Sequence, residues 1–291
     1  MILVTTPTGD IGTRVLRHLL DAGAPVRVIV RDAAKLPEDA RSRVGVVEGS
    51  HGDTATIGAA LDAIDRIFWL PPGDPTAPNA HAAYVDFSRA FAEALPASGV
   101  THIVGVSALG RGWDRPAGLV SESLAMDDLI GATGAAYRAL ACASLMDNLM
   151  RQTGAIRDGR FYAPTPGDLP LPHVAKADVA AVAARLLLSP DWQGVEEVPL
   201  HGPENLSFDE MARTLSDVRG RPVAFHGMSM DAFDGMLRSM GTSEGMARDY
   251  VAMMTAKNDG MDNMHPDAAR DDTPTTFRAW AKAELRPAIL G

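Results

Sequence analysis

Five short apolar runs, each followed by a helix-like stretch or a loop leading to one, occupy the first 110 residues. Ile2-Val4, Val26-Arg31, Val44-Val47, Arg66-Leu70 and His102-Val106 read as strands. Between them, Val15, Leu16, Leu19 and Leu20 mark one face of a helix ended near Gly23, and helices are expected around Ile57-Ala63, capped by Asp53 or Thr54, and around His81-Leu95. Strands alternating with helices mean βαβ units, hence an α/β fold with a mostly parallel, doubly wound sheet of Rossmann type. The second half is less regular. A helix is expected over Ala175-Ser189, a strand over Glu197-Leu200, a helix over Ser207-Val218 with a Ser207/Glu210 capping box, and a last helix near Thr275-Leu285.

The first crossover carries the sharpest chemical signal. ILVTTPTGDIG (residues 2–12) runs from a strand into a turn and then a helix, where unpaired backbone N–H groups and the helix dipole favour a pyrophosphate. Thr8, Gly9, Asp10, Ile11 and Gly12 form that turn. Gly9 lets the backbone approach the phosphates, and Gly12 lets the helix pack closely on the strand. Thr6 stands where a glycine usually eases the turn, and Pro7 is expected to hold Thr6 extended. About 20 residues past such a turn, an acid selects NAD and a basic group selects NADP. Arg31 stands there, with Lys35 four residues on, which favours NADP(H); the competing reading pairs Arg31 with Asp32.

Composition removes several other classes. A net charge of −10 argues against nucleic-acid binding. Cys142 is the sole cysteine, so no intramolecular disulfide forms. No signal peptide or membrane-length apolar stretch is visible, which points to the cytoplasm. The eight histidines show no ligand spacing, so no metal is expected. Gly105-Val-Ser107 lacks the second glycine of a hydrolase elbow.

The segments ILVTTPTGDIG, VRVIVRD, VGVVEGSHGD, IFWLPPG, HIVGVSALG, MDNLMRQTG, KADVAAVAARLL, LHGPENLSFDEMARTLSDVRGRPV and TPTTFRAW resemble, in order, the NmrA-like branch of the atypical short-chain dehydrogenase/reductase superfamily. That resemblance implies a cofactor domain over residues 1–150, rejoined by about 175–202, and a smaller lobe over the substrate cleft from the rest of 151–291. It also implies that Ser50, Leu70 and Pro71 join Thr6 and the turn in holding the cofactor. The chain departs from the family pattern at Thr6-Pro7, at Ser50 (where relatives often carry Asp), and at Ala141 and Cys142.

None of the four tyrosines has lysine four residues on, so the usual tyrosine acid of the superfamily is absent. Hydride transfer needs only a positioned nicotinamide and an acceptor. Ser107, at the carboxyl edge of the fifth strand, is the expected neighbour of the nicotinamide. His81 and Tyr84, one helical turn apart, and His173 are candidate proton donors. Nine of the fourteen methionines fall between Met228 and Met264, either filling a helical lobe or lining a cleft for a bulky apolar molecule. The expected function is an NADPH-dependent reductase of a hydrophobic, aromatic or quinone-like molecule, acting as a monomer or homodimer. The alternatives are a non-catalytic NADP sensor and a cofactor-independent isomerase or cyclase on the same fold.

Overall fold

Seven parallel strands form one sheet in a computed structural model that describes residues 1–264 and 270–290. The chain runs β1 (Ile2–Val4), α1 (Asp10–Asp21), β2 (Val26–Val30), α2 (Glu38–Arg41), β3 (Gly45–Glu48), α3 (Thr54–Ala60), β4 (Arg66–Trp69), α4 (Phe87–Ala94) and β5 (His102–Ala108). It continues through α5 (Leu119–Gly131), β6 (Ala136–Cys142), β7 (Ser144–Leu145), α6 (Thr153–Arg157), β8 (Arg160–Ala163), β9 (Leu171–Val174) and α7 (Lys176–Leu188). The remainder is β10 (Val195–Leu200), β11 (Asn205–Leu206), α8 (Phe208–Arg219), β12 (Ala224–Gly227), α9 (Met230–Ser239), α10 (Glu244–Asn258), α11 (Phe277–Trp280) and α12 (Arg286–Leu290).

The strand order is β10-β6-β5-β4-β1-β2-β3. Ile2 pairs with Val26 on one side and Arg66 on the other, so strand addition reverses between β1 and β4. In open α/β sheets, ligands settle in the crevice beyond the carboxyl ends at that reversal.

Both faces of the sheet are covered. Val15, Leu16 and Leu19 of α1 share one core with Val179, Ala183 and Leu187 of α7. Each of the valine and leucine side chains contributes about 1.5–3 kcal/mol on full burial. The alanines of α7 let it lie close against α1. On the other face Ile57, Phe91, Met126 and Ile130 pack under β4 to β6, with Trp69 stacked on Phe91 at 3.9 Å. α1 ends as expected: Gly23 follows the cap residue Ala22, and the N–H groups of Gly23 and Ala24 bond Leu20 and Leu19 carbonyls at 3.0 Å. Asp53 caps α3 through Thr56 N–H, and the Ser207/Glu210 capping box opens α8.

α5 and β6 were not among the expected elements. Ser123 and Asp127 lie on the buried side of α5 and blur its apolar stripe. β6 is buried along its whole length and so shows no alternation.

Two small sheets, β11-β9-β7 and β12-β8, flank the main one. Phe161, Met211, Phe277 and Trp280 form a further core beside them. α10 is fastened to the proline-rich loop after β4. Ser243 donates its N–H to the Pro75 carbonyl at 2.9 Å, and Asp249 accepts the Ala80 N–H at 2.8 Å. Gly245 is required there, since a Cβ would lie 1.9 Å from the Pro78 oxygen. Among the clustered methionines, Met246 and Met261 are core residues, whereas Met236 and Met240 are exposed.

Candidate functional site

The exits of β1 and β4 are laced together before any loop begins. The Thr5 hydroxyl donates to the Phe68 carbonyl at 3.0 Å and accepts the Leu70 N–H at 2.9 Å. The chain then turns sharply. Thr6 has φ +49°, in the left-handed region, which corrects the expectation that Pro7 holds it extended. The turn overrides the pre-proline preference: Gly9 N–H bonds the Thr6 carbonyl at 3.0 Å, which requires that carbonyl to point inward. It then lies over Gly12, where a Cβ would come within 2.0 Å of it. A non-glycine residue in this conformation costs about 1–2 kcal/mol.

The local chemistry fits a phosphate group. Gly9 occupies the N-cap of α1 with no side-chain cap, so the first N–H groups of the helix have no intramolecular acceptor from that position. The Thr6 Oγ1 is buried and has no hydrogen-bond partner among the described residues. Asp10 places a carboxylate in this first turn, but Lys176 from α7 pairs with it at 2.7 Å. The Lys176 hydrogen bond holds Asp10 below the usual carboxylate range, with the charges of Lys176, Arg14 and Arg151 adding to it.

Arg31 leaves the end of β2 exposed, with no ion pair or side-chain hydrogen bond among the described residues. Asp32 instead caps its own turn, accepting the Ala34 N–H at 3.0 Å. The competing pairing of these two residues is not formed. Lys35, in the same turn, is exposed. Ser50 is half-buried and accepts the Gly52 N–H at 3.2 Å.

Beside it stands a residue that sequence reasoning passed over. His51 is buried, sits edge-on to Trp69 and Phe87, and bonds the Leu70 carbonyl at 3.1 Å. Burial lowers its pKa to about 4, the Leu70 bond opposes that, and the Arg31 charge assists it. The ring is therefore neutral, with its N–H on the Leu70 oxygen. Leu70 is thus held at both N–H and C=O, which sets the rim leading to buried Pro71. Its only sequence signal was adjacency to Ser50.

On the far side of the crevice, Ser107 is buried and donates to Asp127 of α5, with Ser123 Oγ at 3.3 Å. Tyr137 of β6 donates to the second Asp127 oxygen at 2.6 Å. Burial pushes Asp127 up to about 6, against the hydrogen bonds from Ser107 and Tyr137. Desolvation and then the Asp127 charge push Tyr137 well up. Neither Asp127 nor Tyr137 was singled out in the sequence, because only the pairing of β5 with β6 under α5 brings them together.

The proposed acids are not gathered around Ser107 by any hydrogen bond. His81 is exposed between Glu122 at 2.8 Å and Asp86 at 3.6 Å. Tyr84 packs near Tyr250, and burial, with that neighbour, pushes it up to about 12. His173 is buried on the Leu171 carbonyl at 2.9 Å and lowered to about 4, mainly by burial. Among the described residues no cluster of three or more His, Cys, Asp or Glu could hold a metal, and His265 lies outside them. Among the described residues no helix is long and apolar enough to cross a membrane.

Comparison with known proteins agrees with this geometry. A family model described as NAD(P)H-binding matches residues 7–190. The chain is 31% identical to an NAD(P)H azoreductase of Xenophilus azovorans, over 85% of this chain and 84% of the relative. It is also 31% identical to a (4-alkanoyl-5-oxo-2,5-dihydrofuran-3-yl)methyl phosphate reductase of Streptomyces griseus, over 80% and 78%. An NADPH-dependent quinone oxidoreductase from Escherichia coli, solved with NADPH, superposes with a TM-score of 0.80 at 24% identity, covering 98% of this chain and 99% of that one. With its glycine turn at the sheet reversal, this chain belongs to the NAD(P)H-binding family, in the NmrA-like group of atypical short-chain dehydrogenases/reductases.

Proposed function

We propose that the protein is an NADPH-dependent oxidoreductase that passes hydride to a hydrophobic, aromatic or quinone-like small molecule. The observation that carries this reading is Arg31: an exposed guanidinium at the end of β2, unpaired among the described residues, beyond an uncapped glycine turn. A planar fork in that place suits the 2′-phosphate that distinguishes NADPH from NADH. The relatives reduce azo, unsaturated lactone and quinone compounds by name, which supports the acceptor class.

The N–H groups of Asp10, Ile11 and Gly12, with Thr8 and Gly9 shaping the turn, hold the pyrophosphate, and the Thr6 hydroxyl gains there the partner it lacks. Arg31, with Lys35 behind it, takes the 2′-phosphate. Ser50, Leu70 and Pro71 line the adenosine and ribose side, and Ser107 borders the nicotinamide. When bound, the cofactor supplies the hydride. Residues 1–150 with about 175–202 serve as the cofactor domain, and the rest of 151–291 covers the acceptor and excludes water. Tyr84 stays protonated at neutral pH and stands as a donor, without the lysine that would make it a strong one; His81 is a weaker candidate because two carboxylates already claim it.

Calorimetric titration with NADPH, followed by NADPH oxidation against a panel of quinones and azo dyes, tests the reading. Binding with turnover on at least one aromatic acceptor is expected. Failure to bind NADPH defeats it, and tight binding without turnover on any acceptor favours a sensor.

A further inference from the structure

We propose that Asp127 supplies a proton through Ser107 to the reduced acceptor and recovers it from a side pocket between α5, β6 and β10. This rests on the reductase reading above, which leaves the reaction without a tyrosine–lysine acid. The pocket, about 420 Å3, is lined by Arg111, Asp127, Asp128, Tyr137 and Glu197 among others, and it is open to solvent on the flank of the sheet away from the glycine turn. One oxygen of Asp127 accepts from Ser107, which stands at the carboxyl end of β5, and the other accepts from Tyr137 at 2.6 Å. The carboxyl group thus connects a water-accessible pocket to the crevice edge through a single hydroxyl.

Hydride addition to a carbonyl-type acceptor leaves an oxyanion. When Asp127 is protonated the same contact runs the other way, Asp127 O–H donating to the Ser107 Oγ and freeing the serine hydroxyl for the acceptor. The Ser107 O–H bond then breaks as the acceptor O–H forms, and the Asp127 O–H bond breaks to restore the serine hydroxyl. Asp127, left as carboxylate, takes a proton from water in the pocket. No further oxidant or reductant is needed. Ser107 touches the acceptor; Asp127 acts through it as a positioning and proton-supplying residue. The groups facing Asp127 are Tyr137 and Cys142 on β6, Arg111 after β5, Asp128 on its own helix and Glu197 on β10. Burial dominates their balance and keeps the protonated form populated to about pH 6.

The test uses the full chain with NADPH and a quinone. In the wild protein kcat falls as pH rises through the Asp127 midpoint. Asp127→Asn loses that limb and roughly 100-fold in kcat, while calorimetry shows NADPH affinity retained. Tyr137→Phe removes a hydrogen bond that lowers Asp127, so the kinetic limb and the carboxyl midpoint, read by carbon-13 NMR of the free protein, move up together. A retained limb in Asp127→Asn overturns the relay, as does a carboxyl midpoint that moves in Tyr137→Phe while the kinetic limb stays. If Asp127→Asn does not fold, the Tyr137→Phe comparison decides alone. Absence of NADPH binding by the wild protein overturns the reductase reading itself, and the relay with it.

Discussion

Gly12 lies directly against the Thr6 carbonyl, and a Cβ on Gly12 would stand 2.0 Å from that oxygen. The opposing atom is backbone and belongs to a turn closed by Gly9, so it has little room to retreat. Gly12→Ala is expected to destabilise the protein by about 1–3 kcal/mol, in the range of overpacked sites. It also weakens NADPH binding, because α1 must shift away from the strand. Thermal melts and calorimetry on the same preparation check both effects; an unchanged melt would mean the turn relaxes freely.

Thr6 makes the opposite kind of prediction. Its Oγ1 is buried without a partner, a state that costs about 1–3 kcal/mol. Thr6→Val removes the unsatisfied oxygen at nearly constant shape. The free protein is expected to melt at a higher temperature while NADPH affinity drops several-fold. A variant that binds NADPH as the parent does takes the Thr6 hydroxyl out of the cofactor site.

Arg31→Ala separates the two nicotinamide cofactors. Charge-assisted hydrogen bonds to phosphate contribute about 1.5–3 kcal/mol, so the NADPH Kd should rise roughly 10- to 100-fold. NADH affinity should hardly change. Among the described residues Arg31 has no ion pair or side-chain hydrogen bond to lose, so stability should stay within about 0.5 kcal/mol. Equal losses for NADPH and NADH would place Arg31 outside the 2′-phosphate site.

Two buried histidines set the acid limit. His51 and His173 are each lowered from 6.5 to about 4, chiefly by burial. Below pH 6.5 the unfolded chain binds protons that the folded one refuses, so stability is full above that pH and falls until the folded rings titrate near 4. Each contributes a loss of about 3 kcal/mol at the limit. Asp127 works the other way: raised from 3.8 to about 6, it costs stability above that window, which is regained as pH falls through it. The two histidines outweigh the one carboxyl. Urea midpoints measured from neutral to mildly acid pH should fall, and His51→Leu should flatten the slope; a flat wild-type profile would contradict the burial of both rings.

The strand-turn-helix at the N-terminus, the alternation through β5 and the α8 capping box were legible because each rests on local pattern. The place of Arg31 at the end of β2 was legible from its spacing alone. The conformation of Thr6 was not, because a hydrogen bond from Gly9 and the closeness of Gly12 overrule what Pro7 dictates locally. α5 and β6 escaped for related reasons: one carries polar residues on its buried side and the other is buried on both faces. Asp127, Tyr137 and His51 acquire meaning only from neighbours distant in sequence, such as Ser107 for the first and Leu70 for the last.

The attachment of α10 to the loop after β4 has a consequence for where the chain tolerates substitution. Ser243, Gly245 and Asp249 rivet the first turns of that helix to backbone beside the nucleotide crevice, whereas Leu237 is the single buried residue of α9. Substitutions at exposed Met236 of α9 are therefore expected to leave the α10 contacts intact. A side chain at Gly245 would instead press on the Pro78 carbonyl and disturb the loop that leaves β4.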